Sequence, residues 1–175
     1  MTGAAVRMPA EYLFPYLTAN ATALGFLALA FWKPRWARWA SVAVFLAAAL
    51  LNVLIALNQP ADYQAFGDLA PLSLYRDFIR GWFSTNVPWL LVPIALGQLL
   101  IALLFLDNTR LSRRLGTAAA LVFLLAIAPL GVGSGFPLTL TFGLALVVMT
   151  RRLESAEATG RHGATRRNRV RVLRW

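Results

Sequence analysis

The sequence predicts an all-α fold, a polytopic integral membrane bundle of four to five helices. Hydrophobic residues make up 59% of the 175 residues, and the mean hydropathy is +0.63. Charged residues make up only 14%, against roughly 25% in a soluble domain. Long apolar stretches recur along the chain, and the polar segments between them are too short for a core of their own. We therefore predict a single transmembrane bundle over 1–150 and a polar tail over 151–175.

The composition also excludes several kinds of site. The chain has no cysteine and one histidine, His162, which excludes disulfides, thiolate metal sites and bis-histidine haem ligation. The net charge is +10, and the basic residues lie in loops and the tail. In a membrane protein this distribution indicates topology and attraction to anionic lipid rather than nucleic-acid binding. We expect neither a metal nor a catalytic constellation, and hence no enzyme.

The first half of the chain predicts two membrane helices, at about 9–32 and 36–57. Only Arg7 precedes the first segment, whereas the basic stretch KPRWAR follows it. A signal peptide has the opposite arrangement, so the first segment is interpreted as an uncleaved span. Tryptophans cluster at the joint between the two segments, which indicates the headgroup level of a membrane.

The longest loop, about 58–87, carries more Asp than Arg and many aromatic residues. Part of it predicts a short amphipathic helix that lies on the outward-facing surface of the membrane and offers an aromatic face to a protein partner. Arg76, Asp77 and Arg80 are directed away from most of its apolar side chains. These apolar side chains recur at helical spacing: Leu72, Tyr75, Phe78, Ile79, Trp82 and Phe83.

A third membrane helix is predicted at about 88–106, followed by a short basic loop and a long apolar run over 117–149. As one helix this run would measure roughly 50 Å, against a hydrocarbon core of about 30 Å. Helix propensity is poorest near its middle, in the stretch PLGVGSGFP. We therefore predict two helices, at about 117–130 and 136–149, with the break carried by Pro129, Gly131, Gly133, Gly135 and Pro137.

The distribution of basic residues supports this break. Basic groups follow the first span, precede the last apolar run and begin the tail, and such groups favour the cytoplasmic side. With five helices, the N-terminus outside and the C-terminus inside, these three basic groups all lie on the cytoplasmic side. We predict that the chain lies in the inner membrane of a bacterial cell. Four spans with a tilted, kinked last helix remain the alternative. The tail is expected to be disordered and to contact anionic headgroups through Arg151, Arg152, Arg166, Arg167, Arg169 and Arg171.

The glycine cluster does not indicate chemistry. GVGSG is similar to the TVGYG filter of potassium channels, but the preceding loop has the charge of an inside loop, and the threonine and tyrosine are missing. Ser134 lacks the G-x-S-x-G context of a nucleophile and has no histidine in the apolar segments as its base. We interpret the cluster as a tight turn.

Three amides lie inside the predicted spans: Asn20, Asn52 and Gln98. Amides in hydrocarbon need hydrogen-bond partners, so the first interpretation is helix-to-helix contact. The second is a polar lining for a lipid headgroup or a quinone carbonyl. The middle of each span lacks charged residues, which argues against a proton-coupled transporter.

The segments PWLLVPIALGQLLIALLFL and RLGTAAALVFLLAIAPLGVGSGFP, joined by a short basic loop, resemble the DoxX-like small bacterial membrane proteins. The resemblance covers 88–149 and consists mainly of hydrophobic pattern. It implies a compact bundle of about four membrane helices, and some members of that family are described as small subunits of quinone-linked oxidoreductases. No family motif places a catalytic residue on this chain.

These observations predict a non-catalytic accessory or scaffolding subunit of a membrane complex, such as a quinone-linked redox complex. The alternative is a small transporter or a lipid- or quinone-binding carrier, with Asn20, Asn52 and Gln98 lining its cavity. In the first case no cofactor is expected, and in the second a quinone is the candidate ligand.

Overall fold

The computed structural model describes residues 10–58, 67, 70–107 and 109–172, and this part of the chain is helical without strands. Four helices are long and apolar enough to cross a membrane. They cover Tyr12–Trp32, Pro34–Asn58, Val87–Leu106 and Arg110–Ser134. The predicted all-α, multi-pass membrane fold is confirmed.

The described part of the chain contains six α-helices, one π-helical turn and one 3₁₀ turn. The elements are α1 (Ala10–Trp32), α2 (Pro34–Asn58), α3 (Ser73–Phe78) with a π-helical turn (Ile79–Phe83), α4 (Val87–Leu106), α5 (Arg110–Ile127) with a 3₁₀ turn (Ala128–Ser134), and α6 (Leu138–Val172).

The long helices run alternately up and down. The α2 helix packs along α4, α1 along α6, and α5 lies between α4 and α6. Three contacts fix α5 and α6 as antiparallel neighbours: Arg113 with Glu157, Thr117 with Thr150, and Leu121 with Gly143. One end of the bundle therefore carries the α1–α2 joint, the α4–α5 loop and the middle of α6. We call it the basic end, and the opposite end the turn end.

Two clusters of buried side chains hold the bundle together. The larger centres on four phenylalanines, with Phe26 against Phe142 at 4.7 Å between ring centroids and Phe45 between Phe142 and Phe105. Fully buried alanines let the helices approach closely around these rings, as is usual in membrane bundles. The smaller cluster lies at the turn end and joins α2 and α4 to the π-helical turn: Ala56, Ile79, Phe83, Val87 and Leu91.

The last apolar run is divided where the sequence predicts. The α5 helix ends at Ile127, and the following turn contains two glycines at positive φ, Gly131 (63°) and Gly135 (70°). Because α5 and α6 pack antiparallel, the run is a hairpin of two helices, and the single kinked span is excluded. The apolar part of α6, 138–150, is only about 20 Å long at 1.5 Å per residue, and much of it is buried among the longer helices.

Two predicted boundaries are wrong. The α5 helix begins at Arg110 rather than near 117, because Thr109 caps it. The predicted disordered tail begins at 151, but residues 151–172 are helical, because α6 continues to Val172. The start of this extension is held to α5 by Arg113–Glu157 and Arg114–Glu154 ion pairs, which the single-sequence pattern does not reveal.

The short loop helix is present, but its predicted apolar face is divided. Ile79 and Phe83 are buried against the ends of α2 and α4, whereas Phe78 and Trp82 are exposed and stack at 5.9 Å. The reason is that two neighbouring rows of the helix are apolar and only one of them meets the bundle. The Tyr75 hydroxyl donates to the Ala126 carbonyl at 3.0 Å and ties this helix to the end of α5.

Candidate functional site

Two of the three amides predicted to line a cavity meet inside the bundle. Asn52 Nδ2 on α2 donates to Gln98 Oε1 on α4 at 2.7 Å, and Gln98 is only 3% exposed. Asn20 has other partners: its Nδ2 donates to the Tyr16 carbonyl at 3.0 Å and to the Gly135 carbonyl at 3.1 Å. The first pair joins α2 to α4, and Asn20 holds α1 to the hairpin turn.

A double-mutant cycle measures the Asn52–Gln98 contact. We expect Asn52→Ala, Gln98→Ala and the double variant to give a coupling free energy of about 0.5–1.5 kcal/mol, because interhelical hydrogen bonds in membranes contribute about that much. The readout is reversible unfolding of the purified protein in mixed micelles. Additive single effects would show that the two amides act independently.

A cavity of about 330 Å³ lies between α1 and the hairpin turn. Such a volume is near the lower end for small-molecule sites. Mostly apolar atoms line it, with Tyr12 and Tyr16 on the α1 side and Val132 to Gly135 on the turn side. Sequence reasoning missed these tyrosines, although an i, i+4 pair of Tyr at the outer end of a span is a recognisable pattern.

The basic end contains two buried arginines that the sequence pattern assigns to loops. Arg38 Nη1 donates to the carbonyls of Phe105 at 2.8 Å and Leu106 at 3.2 Å, so it caps the C-terminus of α4 from another helix. Arg113 is fully buried and its Nη2 lies 2.6 Å from Glu157 Oε1. The only indication in the sequence that a buried arginine has a partner is the pair Glu154 and Glu157, which are spaced by about one helical turn beyond the last apolar run.

The α4–α5 loop forms a compact capping motif. The Thr109 hydroxyl accepts from the Ser112 amide at 3.2 Å, and Asp107 Oδ2 accepts from the Ser112 hydroxyl at 2.6 Å. The hydrogen bond from Ser112 lowers the pKa of the Asp107 carboxyl, and that from Arg114 lowers the pKa of Glu154. Both carboxylates compensate the unfavourable position of arginines at the start of α5, where the helix dipole is positive.

These lowered pKa values predict acid sensitivity of the basic end. A carboxyl with a depressed pKa stabilises the fold above its unfolded pKa, about 4 for Asp and Glu, and loses this contribution as the pH falls through the folded value. Stability should therefore be level between about pH 5 and 7 and should fall below about pH 4. The double variant Asp107→Asn, Glu154→Gln should have a shallower fall in unfolding experiments between pH 3 and 7, and an unchanged slope would contradict the assignment.

The arginines predicted to contact lipid fall into two groups. Arg151 and Arg152 are exposed at the basic end, and the Arg152 guanidinium lies 3.9 Å from the centre of the Phe31 ring. Arg166, Arg167, Arg169 and Arg171 belong to the last part of α6, where the side chains lie outside the described part. Among the described residues, no group of three or more His, Cys, Asp or Glu is placed to hold a metal ion.

The chain matches no protein-family model, no curated protein and no solved structure. The DoxX-like resemblance therefore stays a prediction.

Proposed function

We propose that the protein is a non-catalytic accessory or scaffolding component of a membrane complex. The observation that carries this proposal is the Asn52–Gln98 hydrogen bond. It joins α2 and α4 through Gln98, the most buried amide among the described residues, and such interhelical hydrogen bonds stabilise helix packing in membranes. The Thr117–Thr150 hydrogen bond at 2.7 Å uses two further buried polar side chains in the same way, between α5 and α6.

The surface proposed for a partner is the outward row of α3 and its π-helical turn: Leu74, Phe78 and Trp82. All three side chains are exposed, and the last two stack on each other. Tyr75 and the buried Ile79 hold the helix against the bundle, so this row has a fixed position on the surface. Exposed aromatic side chains held in this way are typical of protein interfaces.

The proposed location is the inner membrane of a bacterial cell, with the N-terminus outside and the C-terminus inside. Basic residues of the α1–α2 joint, the start of α5 and α6 lie together at one end of the bundle, and the positive-inside tendency assigns that end to the cytoplasm. The α3 surface would then face the periplasm.

Quantitative purification from native membranes tests the proposal. In a mild detergent, we expect a stoichiometric protein partner that is lost in the variant Phe78→Ser, Trp82→Ser. Trp89→Ser is the matched control, since Trp89 is an exposed aromatic residue near the start of α4 and outside the proposed surface. Following the DoxX-like resemblance, quinone-linked oxidoreductase subunits are the first partners to look for. A protein without stoichiometric partners, or equal retention in both variants, would contradict the proposal.

A carrier of lipid or quinone is the second candidate, and the cavity beside the hairpin turn favours it. Native mass spectrometry of the purified protein should then show one retained quinone or lipid. The variant Ala19→Phe, which adds a ring to the cavity lining, should lose this ligand, whereas Leu17→Phe on the exposed face of α1 should keep it.

A further inference from the structure

The α1–α2 joint is the tightest connection of the bundle. Lys33 alone separates the two helices, and its carbonyl accepts from the amides of Trp36 at 2.9 Å and Ala37 at 3.0 Å. Lys33 and Arg35 are exposed on this joint. The joint therefore presents two cations on a short and well-ordered piece of backbone.

The α6 helix brings a third cation to the same place from a distant part of the sequence. Arg152 lies over the ring of Phe31, two residues before Lys33. The next residue, Leu153, belongs to the same buried cluster as Ala30 and Ala37, on the two sides of the joint. A cation over an aromatic face is held by the ring quadrupole, so Arg152 has a defined position beside the joint.

The carboxylates that the described residues place at the basic end have other partners. Asp107 accepts hydrogen bonds from Ser112 and Thr109, Glu154 pairs with Arg114, and Glu157 pairs with Arg113. Within the described part of the chain, no carboxylate forms an ion pair with Lys33, Arg35 or Arg152. As far as the described side chains go, no carboxylate therefore balances the charge of these three cations.

The depth of this charge in the membrane indicates its ligand. Trp32 and Trp36 flank the joint, and their side chains are 75% and 68% exposed. Exposed indole rings at the end of two spans favour the headgroup level, where the anions are lipid phosphates. We propose that Lys33, Arg35 and Arg152 form one binding surface for the phosphate groups of anionic phospholipids.

This surface differs from the one that the sequence alone predicts. The sequence predicts lipid contact by the arginines of the tail, Arg152 among them, whereas the joint surface combines Arg152 with Lys33 and Arg35 of the α1–α2 connection. It is independent of the proposed scaffolding function and lies at the opposite end from α3.

Native mass spectrometry of the full chain tests the surface. The protein is exchanged into mixed micelles that contain equal amounts of phosphatidylglycerol and phosphatidylcholine, and the bound lipids are counted by mass. We compare the native chain with a joint variant (Lys33→Gln, Arg35→Gln, Arg152→Gln) and a tail variant (Arg166→Gln, Arg167→Gln, Arg169→Gln). Both variants remove three positive charges, so they differ only in the place of the change.

The native chain and the tail variant are expected to prefer phosphatidylglycerol, and the joint variant to lose this preference. Each basic side chain near an anionic surface contributes roughly a fivefold change in affinity, so the loss should exceed about tenfold. A tail variant that loses the preference while the joint variant keeps it would overturn the proposal, as would equal losses in both. If the joint variant does not fold, Lys33→Gln alone should reduce the preference several-fold, and an unchanged preference in that variant would also overturn the proposal.

Discussion

Replacing Gly131 by alanine is expected to destabilise the bundle by about 1–3 kcal/mol, although the change adds a single methyl group. Gly131 has φ 63° and ψ −122°, a conformation that is essentially restricted to glycine. The turn that it forms reverses the chain between α5 and α6, so strain here acts on the whole hairpin. Equilibrium unfolding of the purified protein in mixed micelles measures the effect.

Gly133 supplies the matched control. It lies in the same turn as Gly131, but its φ is not positive. Gly133→Ala should therefore change stability by less than about 0.5 kcal/mol. Equal effects of the two substitutions would show that the backbone conformation at Gly131 is not what the fold depends on.

Removing the Glu157 carboxylate is the second change with a large expected effect. Glu157 faces Arg113, whose side chain is fully buried, at 2.6 Å. Deleting one partner of a buried ion pair typically costs about 3–5 kcal/mol, and the 38% exposure of Glu157 reduces the expected cost to about 2 kcal/mol. The same unfolding experiment on Glu157→Ala measures it.

Glu154→Ala is the comparison, because Glu154 pairs with Arg114 between the same two helices at the same distance, 2.6 Å. Arg114 is 60% exposed, so this pair is screened by solvent and its removal should cost less than about 1 kcal/mol. Equal destabilisation by Glu154→Ala and Glu157→Ala would show that the burial of Arg113 does not make its ion pair more important than the exposed one.

The helices and the hairpin were predictable because they depend on length and local pattern. A run such as 117–149 is too long for one span, and the glycines and prolines at its centre leave one place for the break. The predicted amide contacts were partly accessible in the same way, since an amide in hydrocarbon needs a partner. The pattern could not tell that Asn52 would meet Gln98 while Asn20 would meet the turn, because this depends on the rotation of each helix.

The pairing of charges between helices was beyond the single sequence. Arg38 and Arg113 resemble ordinary loop arginines until α4 and α6 are placed beside them. The tail from 151 onward has little apolar periodicity, so its composition predicts disorder, whereas Glu154 and Glu157 hold its beginning to α5. Likewise, only the bundle decides which apolar row of α3 is buried.

The α6 helix returns the chain to the end of the bundle that carries the α1–α2 joint. Because the chain has no cysteine, single cysteines can be labelled with a membrane-impermeant maleimide from either side of sealed vesicles. Arg110→Cys reports on the start of α5, Ser155→Cys on α6 beyond its apolar part, and Thr85→Cys on the turn end, and all three side chains are exposed. We expect positions 110 and 155 to react from one side and position 85 from the other. Labelling of position 155 from the side of position 85 would contradict the hairpin topology.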